Sequence, residues 1–165
     1  MIMESDATRA MDSGNRMYWE SELETLPRAE LEKLQLRRLN ESLHLAARSP
    51  HYAKCARIGR MLREGIKSIE QIRELPFTTK DDLRQDFPWG FLAADKREVI
   101  RLHSSSGTTG NPTVVFHNRH DLASWANLMA RSLYAAGVRQ TDVFQNMSGY
   151  GLFTGGLGFQ YGIER

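Results

Sequence analysis

Charge and glycine divide this chain at about residue 100. The first 100 residues hold 17 Lys/Arg and 17 Asp/Glu, whereas residues 101–165 hold five Arg, three acids and no lysine. Nine of the 13 glycines fall in that second stretch. Charged side chains need water, so the first part reads as solvated helices. The second reads as a buried, tightly turning region that expects cover from something else. The chain finishes at Ile163-Glu164-Arg165, directly after a glycine-rich apolar stretch. No terminal helix or polar tail is expected to close it, which is the pattern of a fragment of a longer protein.

The composition excludes several classes. A formal net charge of +2 over 165 residues gives no basic field for nucleic acid or an anionic membrane. At 41% hydrophobic and 25% charged, the chain is globular in composition rather than disordered. No apolar run approaches the ~18 residues of a spanning helix. Residues 1–16 carry Glu4, Asp6 and Asp12 without an apolar core, so they read as a flexible tail and not as a secretory signal. Cys55 is the one cysteine, which rules out an internal disulfide and fits a reducing, cytoplasmic setting. It has no Cys or His at ligand spacing and reads as a half-buried residue rather than a reactive thiol.

Residues 17–98 read as a helical section. Leu36, Leu39, Leu43 and Ala46 follow 3/4 spacing, with Leu31 and Leu34 a turn earlier and Pro27 and Pro50 as brackets. A second, basic helix is expected over about Tyr52–Glu64, stopped by Gly65, and a short third one over 68–74. Thr79 and Asp82 are placed to form a reciprocal N-cap. From residue 99 the pattern changes. Val99–His103 and Thr113–His117 read as strands, as does Asp142–Met147. Asp121–Ala136 reads as a helix with Leu122, Trp125, Leu128, Met129 and Leu133 on one side and Gly137 as its stop. The expected fold class is α/β: a helical section, then the opening strands and helices of a larger domain over 99–165.

Between the first two strands lies Ser104-Ser105-Ser106-Gly107-Thr108-Thr109-Gly110-Asn111-Pro112-Thr113. Five hydroxyl residues and two glycines fill positions 104–110. Glycine lets the backbone approach an anion, and hydroxyls and successive N–H groups can donate to phosphate oxygens. A Walker-type loop is rejected: Gly110 is followed by Asn111 rather than lysine, and a strand rather than a helix comes next. A flexible linker is costly between two strands. On the residues alone, a structural turn and a hairpin loop closing over polyphosphate both stay open. His103 and His117 flank the loop and read either as structural histidines or as residues facing a nucleotide; no carboxylate cluster joins them for a metal. Arg57, Arg60 and Arg63 read as a solvated helix face, with contact to a coenzyme phosphate as the alternative.

The string SSSGTTGNPT resembles the phosphate-binding signature of the adenylate-forming enzymes, which include the acyl-CoA synthetases. Leu75-Pro76-Phe77-Thr78-Thr79-Lys80-Asp81-Asp82-Leu83-Arg84 and Gly149-Tyr150-Gly151-Leu152-Phe153-Thr154-Gly155-Gly156-Leu157-Gly158 are similar to the phenylacetate–CoA ligases, as is the start around Tyr18–Leu39. The resemblance covers residues 17–165, and only the N-terminal part of such an enzyme. It implies ATP-dependent formation of an acyl-adenylate, then of a CoA thioester, in phenylacetate catabolism. It implies that Ser105, Ser106, Gly107, Thr108, Thr109, Gly110, Asn111 and Thr113 hold ATP phosphates. It implies that Ser148, Tyr150, Phe153 and Gly155 line the pocket for an aromatic or arylacetic acid. ATP, Mg2+ and coenzyme A are the implied cofactors, and a homodimer is the family's usual state.

The sequence departs from that pattern in two places. Asn111 stands where many superfamily loops carry lysine, which removes a point charge but keeps a donor. Ser148 stands where the phenylacetate enzymes often carry a tyrosine. The later acidic motif that binds magnesium and adenine, the ribose-binding aspartate and the late lysine have no counterpart here. No catalytic acid or base is therefore assigned, and the chain alone is expected to be inactive. The rival expectation is a non-enzymatic remnant that acts as a dimerisation or partner-binding module.

Overall fold

The computed structural model describes residues 17–55, 58–105, 112–151 and 154–165. They form two units. One comprises residues up to Leu26, Ala123–Tyr150 and Gly155–Arg165; the other comprises Pro27–Leu122 with Gly151–Thr154.

The first unit opens with α1, the single turn Ser21–Glu24. The second unit carries most of the helical section, beginning with α2 over Arg28–Ala46. The 3/4 pattern does what it predicts: Leu43 is buried with Ile58, Leu62 and Ile66, and Leu36, Leu39 and Ala46 pack around them. The expected helix over Tyr52–Glu64 is instead two short ones, α3 (Pro50–Ala53) and α4 (Gly59–Glu64). Ser49 starts α3 early by accepting from the Tyr52 N–H, and Gly59 is a poor interior residue for one continuous helix. Gly65 ends α4 at φ 77°, a left-handed geometry suited to glycine. Asn40 clamps the next residue, accepting from the Ile66 N–H at 2.7 Å and donating to its carbonyl at 2.9 Å. Cys55 is partly buried against this core. Arg60 pairs with Glu64 at 2.9 Å on a largely exposed face; Arg57 lies outside the described residues.

A 3-10 turn over Ile69–Glu74 takes the place of the third helix. Helix α5 (Lys80–Gln85) has the expected cap: Thr79 Oγ1 accepts from Asp82 N–H, and Asp82 accepts from Thr79 N–H at 2.7 Å. Strands β1 (Arg101–Ser104) and β2 (Val114–His117) form an antiparallel pair in which Arg101 faces His117 and Ser104 faces Val114. Trp89 stacks on Phe116 at 4.5 Å, and Lys96 Nζ sits 4.2 Å from the Trp89 ring.

Helix α6 spans Arg119–Ala135. Asn118 and Asp121 cap its start reciprocally, at 2.8 and 2.9 Å. Gly137, at φ 99°, stops it, with Val138 N–H reaching back to the Leu133 carbonyl. Trp125, Met129 and Leu133 are partly covered as expected, but Leu128 is 51% exposed. Two expectations fail here. Asp142–Met147 pairs with no strand among the described residues, so the strand expected there is not formed. The glycine-rich stretch runs into a helix, α7 (Gly155–Glu164), where no terminal helix was expected. Four glycines in ten residues disfavour a helix locally. Packing overrides this, because Gly158 lies against the Trp125 ring and Gly162 against Met129 and Ala130, where a larger residue would collide. Among the described residues, no helix is long and apolar enough to cross a membrane.

Candidate functional site

The β1–β2 pair brings the two ends of the hydroxyl-rich loop together. Beyond the ladder, Ser105 N–H donates to the Thr113 carbonyl at 3.0 Å. Thr113 returns its N–H and its hydroxyl to Ser105 Oγ, each at 3.1 Å. Ser105 and Thr113, two of the predicted phosphate-binding residues, thus form the base of the loop. Ser106, Gly107, Thr108, Thr109, Gly110 and Asn111 lie outside the described residues.

A hollow of about 250 Å³ opens at this base, lined by His103, Ser104, Ser105, Thr113, Val115 and Thr154. Four of the six are hydroxyl residues, the donor type that suits phosphate oxygens. The chemistry of this donor set fits an ATP phosphate. Sequence reasoning misses Thr154. Its only signal is its place in the Gly149–Gly158 motif, which points to the acid and not to the loop.

His103 is 3% exposed, and its ring meets that of His117 edge-on at 5.3 Å across the strand pair. Burial first, then the neighbouring His103 and Arg101, hold the His117 imidazole below its ordinary value, with Asp121 opposing. Both histidines are thus built into the strand pair that carries the loop. His120 is exposed at the start of α6.

Of the residues predicted for the acid pocket, Ser148, Tyr150 and Gly155 are described, and Phe153 lies outside. Tyr150 is 56% exposed; its hydroxyl donates to Gln160 at 2.9 Å and accepts from Asn146 at 3.2 Å. Asn146 also donates to the Gly156 carbonyl at 2.9 Å and accepts from the Ser148 N–H at 3.0 Å. Asn146 therefore fixes the segment to the start of α7, where Gly155 is the first residue. No motif announces this role, because a single asparagine in an apolar run carries no spacing signal.

The unit containing most of α6 and all of α7 also holds a cleft of about 680 Å³, lined among others by Trp19, Glu20, Asn127, Tyr134 and Arg139. None of the predicted loop or acid-pocket residues lines it. Glu20 forms an ion pair with Arg131 there. Burial raises the Glu20 carboxyl, but hydrogen bonds from Arg131 and Asn127 outweigh it and hold the group below the usual range. No group of three or more metal-ligating side chains occurs among the described residues.

No family model matches the chain. It is 44% identical over 149 residues to the phenylacetate-coenzyme A ligase of Thermus thermophilus, covering 90% of this chain and 34% of that protein. It is 42% identical over 144 residues to the phenylacetate-coenzyme A ligase of Escherichia coli, covering 87% of this chain and 33% of that protein. A solved 2-hydroxyisobutyryl-CoA ligase, in the postadenylation state in complex with 2-HIB-AMP, superposes with a TM-score of 0.75 at 26% identity. That match covers 92% of this chain and 33% of the ligase. A structure of 2-hydroxyisobutyryl-CoA ligase with 2-HIB-AMP and CoA, in the thioesterification state, matches with a TM-score of 0.71 at 30% identity over 85% of this chain and 31% of that one. The chain thus spans about a third of the length of the curated relatives it matches. By sequence the chain is similar to about a third of these phenylacetate-coenzyme A ligases, and by fold to about a third of the 2-hydroxyisobutyryl-CoA ligase.

Proposed function

We propose that this chain supplies the phosphate-holding loop and part of the acid pocket of an ATP-dependent acid–CoA ligase acting on an arylacetic acid. In that reaction a carboxylate attacks the α-phosphorus of ATP with loss of pyrophosphate, and the thiolate of coenzyme A then displaces AMP. Phosphoryl chemistry of this kind depends on positioning and charge neutralisation. The observation that carries the reading is the clasp of Thr113 on Ser105 beneath the loop, beside a hollow lined by Ser104 and Thr154. In this role the clasp sets the loop's two ends, and the Ser105 hydroxyl, an acceptor within the clasp, donates its own hydrogen to a phosphate oxygen, as does that of Thr154. Asn111 offers a neutral donor where a lysine would offer a charge. Tyr150, held by Asn146 and Gln160, and Ser148 beside it would form a wall for the acid. Magnesium would be held by residues outside this chain.

The test is a chimera in which this chain replaces the matching third of the Thermus thermophilus ligase. Phenylacetate-dependent ATP–pyrophosphate exchange is expected in the chimera and is expected to fall at least ~10-fold with Ser105→Ala. A folded chimera without exchange would remove the reading. No observation favours the rival reading as a non-enzymatic partner module.

A further inference from the structure

The strand pair gathers one polar face under the hydroxyl-rich loop. Arg101 lies opposite His117, and His103 opposite Val115. Alternation along each strand puts these four side chains on one face, with Ser105 and Thr113 next in line toward the loop. His103 is 3% exposed and lines the hollow at the loop base with Ser105, Thr113 and Thr154. Its diagonal neighbour is His117, whose ring meets it edge-on at 5.3 Å. The charged groups acting on His117 are His103 and Arg101 from β1 and Asp121 from α6. Arg119 and His120, beside Asp121, are exposed. Two imidazoles and a guanidinium thus share one carboxylate. Burial first, and then His103 and Arg101, disfavour the charged form of His117. Residues 101–165 hold no lysine that could meet an anion here.

We infer that the hollow is an anion site whose counter-charge is the His103–His117 pair, so that entry of an anion is coupled to uptake of a proton from solvent by an imidazole nitrogen of that pair. The reason is electrostatic. Without an anion, a positive charge on either ring meets Arg101 and the other ring, and burial strips the water that would screen it. An anion in the hollow supplies the opposite charge in the same buried setting, and protonated His103 donates to it. Hydroxyls alone orient an oxyanion without neutralising it. The coupling is reciprocal: the anion favours the protonated pair, and protonation tightens the anion. His103 is the contact, and His117 acts through it. The ligand class is a tetrahedral oxyanion, here a phosphate of ATP. The inference rests on the proposed phosphate-holding role of this loop and adds to it a charge that grows as pH falls.

Sulfate is the probe, because its charge stays constant across the range, about pH 5 to about pH 8, in which histidine changes charge. The imidazole Cε1–H signals of this chain are followed by NMR as sulfate is added at about pH 5.5 and at about pH 8. Sulfate is expected to bind ~10-fold more tightly at the lower pH, with the His103 and His117 signals moving together. His44 Nδ1 lies 3.0 Å from the Leu62 carbonyl and His51 Nδ1 2.6 Å from Asp86, away from the hollow's lining. Their signals should stay in place and report the fold of each variant. His103→Gln keeps a polar side chain without a titrating nitrogen and is expected to remove the pH dependence. His117→Gln, at the less buried position, keeps the test open if the first variant does not fold, and is expected to lower the ~10-fold ratio to ~3-fold. Equal affinity at the two pH values overturns the inference, as does an unaltered ratio in the variants or a sulfate shift confined to the other histidines. Pyrophosphate exchange in the chimera separates this inference from the reading it rests on. Exchange without pH-linked sulfate binding removes the anion site and leaves the ligase reading; linked binding without exchange keeps the anion site and counts against that reading.

Discussion

Thr113 donates both its backbone N–H and its hydroxyl to the one Oγ of Ser105, at 3.1 Å each. Both residues are half-buried, so water replaces these bonds poorly. Ser105→Ala is expected to destabilise the chain by about 1–2 kcal/mol, read as a lower urea midpoint at unchanged slope. Pyrophosphate binding by calorimetry should weaken in the same variant. Thr113→Ser keeps both donors and should retain binding; loss of binding there would show that the clasp is not what holds the loop.

His117 makes stability depend on pH. Its folded value lies below the ordinary 6.5, through burial first and then the neighbouring His103 and Arg101. The unfolded chain therefore takes up this proton before the folded chain does. The contribution is present in full above about pH 6.5 and is lost as pH falls below that toward the lower folded value. Urea midpoints should decline from about pH 7 to about pH 5.5, and His117→Asn should flatten part of that decline. An identical decline in His117→Asn would show that the shift has no weight in stability.

The parts of this fold legible in the sequence are those fixed by local rules. The periodicity of Leu36, Leu39 and Leu43, the Thr79–Asp82 cap and the Gly137 stop all rest on neighbours within one or two turns. So does the hairpin, since β-branched runs on both sides of a short hydroxyl-rich loop leave few other pairings. The misreadings come from longer range. Val143 and Phe144 carry real strand propensity, but a strand exists only with a partner, and none lies among the described residues. Residues 155–162 look like a turning loop because glycine disfavours helices, yet the same glycines let α7 approach Trp125 and Met129 closely. Thr154 at the loop base is a tertiary fact that spacing along the chain does not encode.

Asn40 satisfies both backbone groups of Ile66, a residue only 5% exposed. Asn40→Ala leaves that N–H and carbonyl without their partner and should cost about 2–3 kcal/mol. Asn40→Asp keeps the acceptor and loses the donor, so an intermediate loss is expected. Denaturation of the three proteins side by side gives the order; an Ala variant as stable as the parent would mean that water replaces the amide at this turn.

Gly162 tests the seating of α7. A Cβ there would sit 2.7 Å from Met129 Cβ and 3.0 Å from the Met129 carbonyl carbon, and backbone cannot step aside as a side-chain tip can. Alanine improves helix propensity by about 1 kcal/mol, so two effects compete. Overpacking against a backbone costs about 1–3 kcal/mol and should win, making Gly162→Ala a net loss. At Gly158 the nearest atom is Trp125 Cζ2 at 2.7 Å, part of a ring that can shift, so Gly158→Ala should cost less. At Gly149 an added Cβ would meet nothing within 4 Å, and Gly149→Ala should stay within about 0.5 kcal/mol of the parent. Thermal unfolding, with near-ultraviolet circular dichroism to follow Trp125, ranks the three. If Gly162→Ala were the most stable of them, helix propensity would outweigh packing and the close approach of α7 to α6 would be wrong.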